Sequence, residues 1–121
     1  MQKNPQVRIH CVDILNFRSE NSYDYIVSGL PFNSFSAQFV QKITDHLISL
    51  SSENALLSFF EYIFIPYLRL ALSTSSEHDE YKKTRQVIEK FVQRYEIDSE
   101  NIFLNIPPAK VHFLQIKKSV P

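Results

Sequence analysis

The pattern of apolar and polar positions divides the chain into a series of strands and helices. Val7–Val12 is short and β-branched, interrupted by Arg8 and His10, and predicts a strand. Residues 18–22 (RSENS) predict a polar turn. Tyr23–Gly29 (YDYIVSG) is nearly continuous in apolar character, as in a parallel strand buried on both faces, and Gly29-Leu30-Pro31 ends it. The period then changes. Phe39, Val40, Ile43, Leu47 and Leu50 share one helical face, with Asn33, Ser34 and Ser36 available as N-caps and Ser51–Asn54 as the stop. Ala55–Phe60 predicts a second buried strand. Pro66–Leu72 reads as a short helix with its proline in the first turn. Thr74–Glu77 has the spacing of a capping box and opens a helix running to about Tyr95. Its apolar face is Tyr81, Val87, Ile88, Phe91, Val92 and Tyr95, and Asp79 and Lys83 form a favourable pair one turn apart. Ile102–Ile106 and Val111–Ile116 predict two last strands, joined through Pro107-Pro108.

Strand–helix–strand units imply a parallel sheet. The connection around Pro107-Pro108 is too short for a crossover and permits only an antiparallel hairpin. The expected fold class is therefore α/β: a mostly parallel sheet with a C-terminal antiparallel hairpin and helices on its faces. A length of 121 residues suits a single domain, 1–121.

Composition narrows the partners. The 13 basic and 13 acidic residues balance, so no net field draws the chain to nucleic acid, and none is expected as a partner. Cys11 is the only cysteine, which excludes an internal disulfide and fits a reducing compartment. No apolar stretch has the length of a membrane span, and the N-terminus MQKNPQ has no apolar secretory core, so a cytoplasmic protein is the expectation. His10, His46, His78 and His112 show no metal-ligand spacing, and no metal is expected. Gly29 is the only glycine, where average usage would give roughly eight. The chain thus has no GxGxxG and no P-loop, and cannot build a glycine-rich nucleotide loop from its own residues.

Three segments carry a resemblance: RIHCVDILNF, YDYIVSGLPF and NIPPAKVHFLQIKK. In this order the chain resembles the C-terminal half of a class I S-adenosylmethionine-dependent methyltransferase, with a partial Rossmann-like sheet. The pair VSGLPF and NIPPAKVHFLQ is most similar to bacterial phospholipid N-methyltransferases, which act on the amine of phosphatidylethanolamine. The resemblance covers about residues 7–63 and 100–117; residues 73–99 stand out as a helical insert longer than that family's. It implies that Asp13 and Ile14 face the adenine of the cofactor. It also implies that Ser28, Gly29, Leu30 and Pro31 shape the site where methyl meets nucleophile, with Ser28 touching cofactor as well and Gly29 letting backbone approach a ligand. Read without the resemblance, Asp13 is an N-cap or loop carboxylate and Ser28–Pro31 a strand-ending turn.

The departures from the family are as informative. Its glycine-rich loop and the acidic residue that binds the cofactor ribose are absent. The chain starts just before the family's third strand. It is therefore expected to bind S-adenosylmethionine weakly or not at all alone, and to be inactive without an N-terminal half. In the family's strand order, three-two-one-four-five-seven-six, strand four would then expose an edge near residues 25–29, to be met by that N-terminal half or by a second copy. The aromatic stretch Phe59–Tyr67 would lie at the active-site mouth and could dip into a lipid interface, giving peripheral membrane contact. Two other functions fit the residues: an inactive remnant or split-gene product acting as an interaction module, and a fragment of a ribosomal RNA adenine methyltransferase. The last is disfavoured by neutral charge and by Ser-Gly-Leu-Pro-Phe standing where base-methylating relatives carry an Asn-Pro-Pro motif.

Overall fold

The structure, a computed structural model, describes residues 6–63 and 74–118. Four strands form one sheet: β1 (Tyr23–Ser28), β2 (Ser51–Tyr62), β3 (Glu96–Ile102) and β4 (Ala109–Ile116), in the spatial order β1-β2-β4-β3. β1 and β2 are parallel; β4 lies between β2 and β3 and is antiparallel to both. The hairpin expected from the short Pro107-Pro108 connection is present, and β4 turns back to insert beside β2.

Two helices complete the described fold. α1 (Ala37–Leu50) starts where the Ser36 hydroxyl accepts from the Phe39 amide. Its buried residues Val40, Ile43, Leu47 and Leu50 recur at three- and four-residue intervals, as the apolar pattern predicts. α2 (Ser75–Tyr95) opens with the expected capping box, Thr74 and Glu77 each bonding the other's backbone. Ile88, Phe91 and Tyr95 of α2 join Val40, Ile43 and Leu47 of α1 in one core cluster with Leu57, Phe59, Leu114 and Ile116 of the sheet. Both helices therefore pack on the same face of the sheet. Successive strand residues point to opposite faces, so Leu56 and Phe60 of β2 and Phe113 of β4 lie on the other face and are exposed.

Where helix passes to strand, Ser51 caps α1: its hydroxyl donates to the Leu47 carbonyl at 2.7 Å. Ser51–Asn54 does not form a loop; it begins β2 directly. β2 advances from Ser51 to Leu56 while β1 advances only from Tyr23 to Tyr25, and the surplus forms a bulge. Within it Asn54 takes a φ of 65°, a left-handed conformation that asparagine tolerates.

Two predicted strands are corrected. Val7–Val12 forms no strand: Val7, Ile9 and Val12 are exposed, and the segment leads into a 3-10 turn at Ile14–Asn16 whose Ile14 and Leu15 pack against the core. Strand-like composition does not make a strand where no neighbour offers a ladder, and β1 pairs with β2 alone among the described residues. The strand placed at Ile102–Ile106 lies earlier, at Glu96–Ile102. Its pairing with β4 ends at Ile102↔Ala109, after which Asn105 donates to the Pro107 carbonyl and the chain turns, leaving Leu104 and Ile106 99% and 95% exposed. The apolar Phe103, Leu104 and Ile106 belong to the turn and the polar residues before them to the strand. The predicted short helix at Pro66–Leu72 lies outside the described residues, as do residues 64–67 of the aromatic stretch.

Candidate functional site

Pairing of β1 with β2 stops at Ser28↔Phe59, but β2 runs on to Tyr62. This leaves a step at the carboxyl end of the parallel pair, which is where ligands bind in open α/β sheets. Gly29-Leu30-Pro31 carries the chain away from β2, and Phe32–Ser34 forms a 3-10 turn that brings it back over the sheet. Between this segment and the projecting end of β2 lies a cavity of about 490 Å³.

Three of the site residues expected from the sequence, Gly29, Leu30 and Pro31, line this cavity together. Ser28 is buried just before it; its hydroxyl accepts from the Leu30 amide at 3.3 Å and so shapes the turn. Gly29 has no positive φ, and a Cβ there would meet no atom within 4 Å. Among the described residues, then, no steric contact calls for glycine at this position. Asp13 and Ile14 do not line the cavity. The Asp13 carboxylate accepts from the Leu15 amide at 2.9 Å as the N-cap of the 3-10 turn, and Ile14 packs against the core. His46 of α1 ties this segment down through the Phe17 carbonyl at 2.9 Å.

Two residues of the cavity wall, Asn33 and Glu61, belong to a network behind it that sequence reasoning missed. Arg85 of α2 donates from one nitrogen both to Glu61 Oε2 at 2.6 Å and to Asn33 Oδ1 at 3.0 Å. This fixes the orientation of the Asn33 amide, since only its oxygen can accept. His112 of β4 donates through Nε2 to Glu61 Oε1 at 3.1 Å, and its Nδ1 bonds the Glu96 carboxylate. Both ring nitrogens face carboxylates, which only accept, so the imidazolium is the form that satisfies both bonds. The Phe59 ring stacks on His112 with centroids 4.8 Å apart.

The electrostatics follow from this geometry. Burial works to raise the pKa of Glu61, but hydrogen bonds from His112 and Arg85 outweigh it and hold the carboxyl down at about 2. Burial likewise opposes the charge on His112, and the bonds to Glu61 and Glu96 overcome it, raising that pKa above its usual value. Glu61 is thus ionised at neutral pH, in a cavity lining whose other residues, among them Phe32, Asn33, Ser34, Phe60, Tyr62 and Pro107, are uncharged. The network was hard to find because its residues come from β2, β3, β4, α2 and a turn. One cue exists: Glu61 and His112 occupy the buried phase of strands whose other members on that phase, Phe59, Leu114 and Ile116, are apolar.

No protein-family profile and no curated protein matches the sequence. Among solved structures, the N-methyltransferase NodS from Bradyrhizobium japonicum WM9 superposes with a TM-score of 0.60 at 11% identity, over 90% of this chain and 59% of that one. The same NodS in complex with S-adenosyl-L-homocysteine gives 0.60 at 12%, over 88% and 53%. The fold is a partial class I methyltransferase fold. In that fold's numbering, the order β1-β2-β4-β3 reads four-five-seven-six, as the resemblance implied. The chain spans little more than half the length of the proteins it superposes on.

Proposed function

We propose that this chain is the C-terminal part of an S-adenosylmethionine-dependent N-methyltransferase whose complete form acts on a phospholipid amine. The observation that carries this reading is the cavity at the step where β2 outruns β1, rimmed by Gly29, Leu30 and Pro31, within the strand order four-five-seven-six. Methyl transfer needs little acid–base chemistry from the protein. It needs an in-line approach of amine to methyl in a water-poor enclosure, so that positioning supplies most of the acceleration.

The residues present fit the cofactor only in part. Asp13 and Ile14 would meet its adenine and Ser28–Pro31 its methyl-bearing end, while the chain has no glycine-rich loop to hold the remainder. When bound, the group supplies an electrophilic methyl. This chain's residues would shape the acceptor side and exclude water. Phospholipid as the acceptor is supported by Phe60 and Tyr62, which line the cavity and are partly exposed. Among the described residues no helix is long and apolar enough to cross a membrane, so contact with lipid would be peripheral.

A second reading is favoured by one observation. Tyr25 and Val27, on the β1 edge, are 75% and 85% exposed. An apolar edge of this kind suits pairing with an N-terminal half or with a second copy, as an interaction module would use it.

Two experiments test the enzymatic reading. In calorimetry, S-adenosylmethionine titrated into this chain alone should give no micromolar binding; a micromolar isotherm would show that the accounting of missing ligands is wrong. Co-expression with the reading frame directly upstream should then give transfer of labelled methyl to phosphatidylethanolamine vesicles. A soluble complex that labels no amine would reject the assignment.

A further inference from the structure

We infer that the turn between β3 and β4 is a lipid-inserting tip, on which Phe103, Leu104 and Ile106 seat the chain on a membrane surface by apolar insertion. The inference goes beyond the methyltransferase reading. The binding requires neither cofactor nor N-terminal half.

Four observations carry it. First, these three side chains project from the fold: Phe103 is 65%, Leu104 99% and Ile106 95% exposed. Leu56, Phe60 and Phe113 on the bare sheet face are partly covered by their neighbours. A flat, part-covered face suits a protein surface. A convex tip has no surrounding rim to keep water out of a protein contact, whereas a fluid interface closes round it without a matching pocket. Second, the tip carries no charge. Residues 101–109 are uncharged, and Glu100 and Lys110 flank them with opposite signs, so an anionic surface has no special hold on it. Entry therefore rests on the apolar side chains, which a lipid interface accepts. Third, polar groups of the turn are already engaged. Asn105, between Leu104 and Ile106, donates its side-chain amide to the Pro107 carbonyl at 2.8 Å. The Pro108 carbonyl accepts from the Ile63 amide at 2.9 Å, which also ties the turn to the end of β2. Carbonyls satisfied within the protein lose less on leaving water. Fourth, Ala109 pairs with both Ile102 and Tyr62, so the tip springs from the end of the sheet where β2 outruns β1. Pro107 of the turn lines the cavity there with Leu30 and Pro31. A bilayer met by the tip lies at the cavity's end of the molecule.

The test is sedimentation of the chain with phosphatidylcholine vesicles. About half of it should sediment at roughly 1 mM lipid, equally at low and at high salt. Leu104→Asp, at a side chain outside the core, should lower the bound fraction about tenfold. Val27→Asp, on the bare sheet face, should leave it unchanged. The chain has no tryptophan, so Leu104→Trp adds a single reporter. That variant should keep the binding, because an indole is at home in the interface, and its emission should shift to the blue when vesicles are added. Failure of the unaltered chain to sediment, release at high salt, or an unshifted indole would each overturn the tip. So would sedimentation lost in Val27→Asp and kept in Leu104→Asp. Self-association that Leu104→Asp abolishes, without vesicle binding, would make the tip a protein contact and overturn the lipid assignment. Loss of vesicle binding leaves the enzymatic reading standing, and absence of methyl transfer in the upstream co-expression leaves the tip standing.

Discussion

The two faces of the sheet are made by the same strands and have opposite fates. Under α1 and α2, Leu57, Phe59, Leu114 and Ile116 are wholly buried in one core. One residue along, Leu56, Phe60 and Phe113 point the other way and stay exposed, joined by Tyr25 and Val27 of β1. The ladder sets these side by side: Val27 pairs with Ser58, and Ser58 with Phe113. Parallel strands are normally covered on both sides, which is why β1 reads as an almost unbroken apolar run. The two edges differ in the same way. β3 carries Glu96, Asp98 and Glu100, charges that discourage further pairing, whereas β1 presents Tyr25 and Val27. The contrast teaches that the sequence of β1 and β2 is suited to two-sided burial, and that the described residues provide one side of it.

Mutation can sharpen this contrast. Leu114→Ala, on the clad face, should cost about 4 kcal/mol in denaturant unfolding, while Leu56→Ala across the sheet should cost under about 1 kcal/mol. Similar losses at both positions would mean that the second face is covered too. Next in size is Glu61→Gln, which leaves Arg85 and His112 without their shared carboxylate and should cost roughly 3 kcal/mol.

The same cluster gives the clad side a pH signature. The pKa of Glu61 is depressed, so its contribution is present above about pH 4.5 and is lost as pH falls towards 2. The pKa of His112 is raised, so its contribution is complete below about pH 6.5 and is lost as pH rises through the folded-state value. Arg85, Glu89 and Glu96 surround the pair; burial works against the charge on Arg85, but its bond to Glu61 overcomes this and raises its pKa, so it stays charged. Unfolding monitored across pH should therefore show a plateau between about 4.5 and 6.5, with the alkaline limb absent in His112→Gln. An alkaline limb that persists in the variant would place its origin elsewhere.

Smaller effects complete the series. Thr74→Ala removes the capping box of α2, part of the cladding, and should cost about 1 kcal/mol. Val27→Asp on the bare face should change stability by no more than about 0.5 kcal/mol, yet reduce binding of a hydrophobic dye and any self-association seen by size exclusion. A chain that elutes as a clean monomer and binds little dye before any mutation would argue against an adhesive face.

Much of the fold was legible because local chemistry and burial agree. Ser36 and Thr74 open their helices, and the spacing of Val40, Ile43 and Leu47, and of Ile88, Phe91 and Tyr95, faces them to the core. Pro107-Pro108 marks the hairpin. The misread segments are those where composition and environment part company. Val7–Val12 has a strand's residues but no ladder, and Phe103–Ile106 has a strand's residues in an exposed turn. Of the site, the rim Gly29–Pro31 was readable because a strand-ending turn is a local signal. The network of Asn33, Glu61, Arg85, Glu96 and His112 was not, because only the folded sheet and α2 bring these five residues together.

The asymmetry of the sheet can be measured directly with a soluble paramagnetic gadolinium chelate, at a concentration where sedimentation shows a monomer. The methyl resonances of Val27 and Leu56 should broaden strongly while those of Leu57 and Leu114 are spared. Equal protection of Val27, Leu56 and Leu57 in the monomer would contradict a sheet with one bare face.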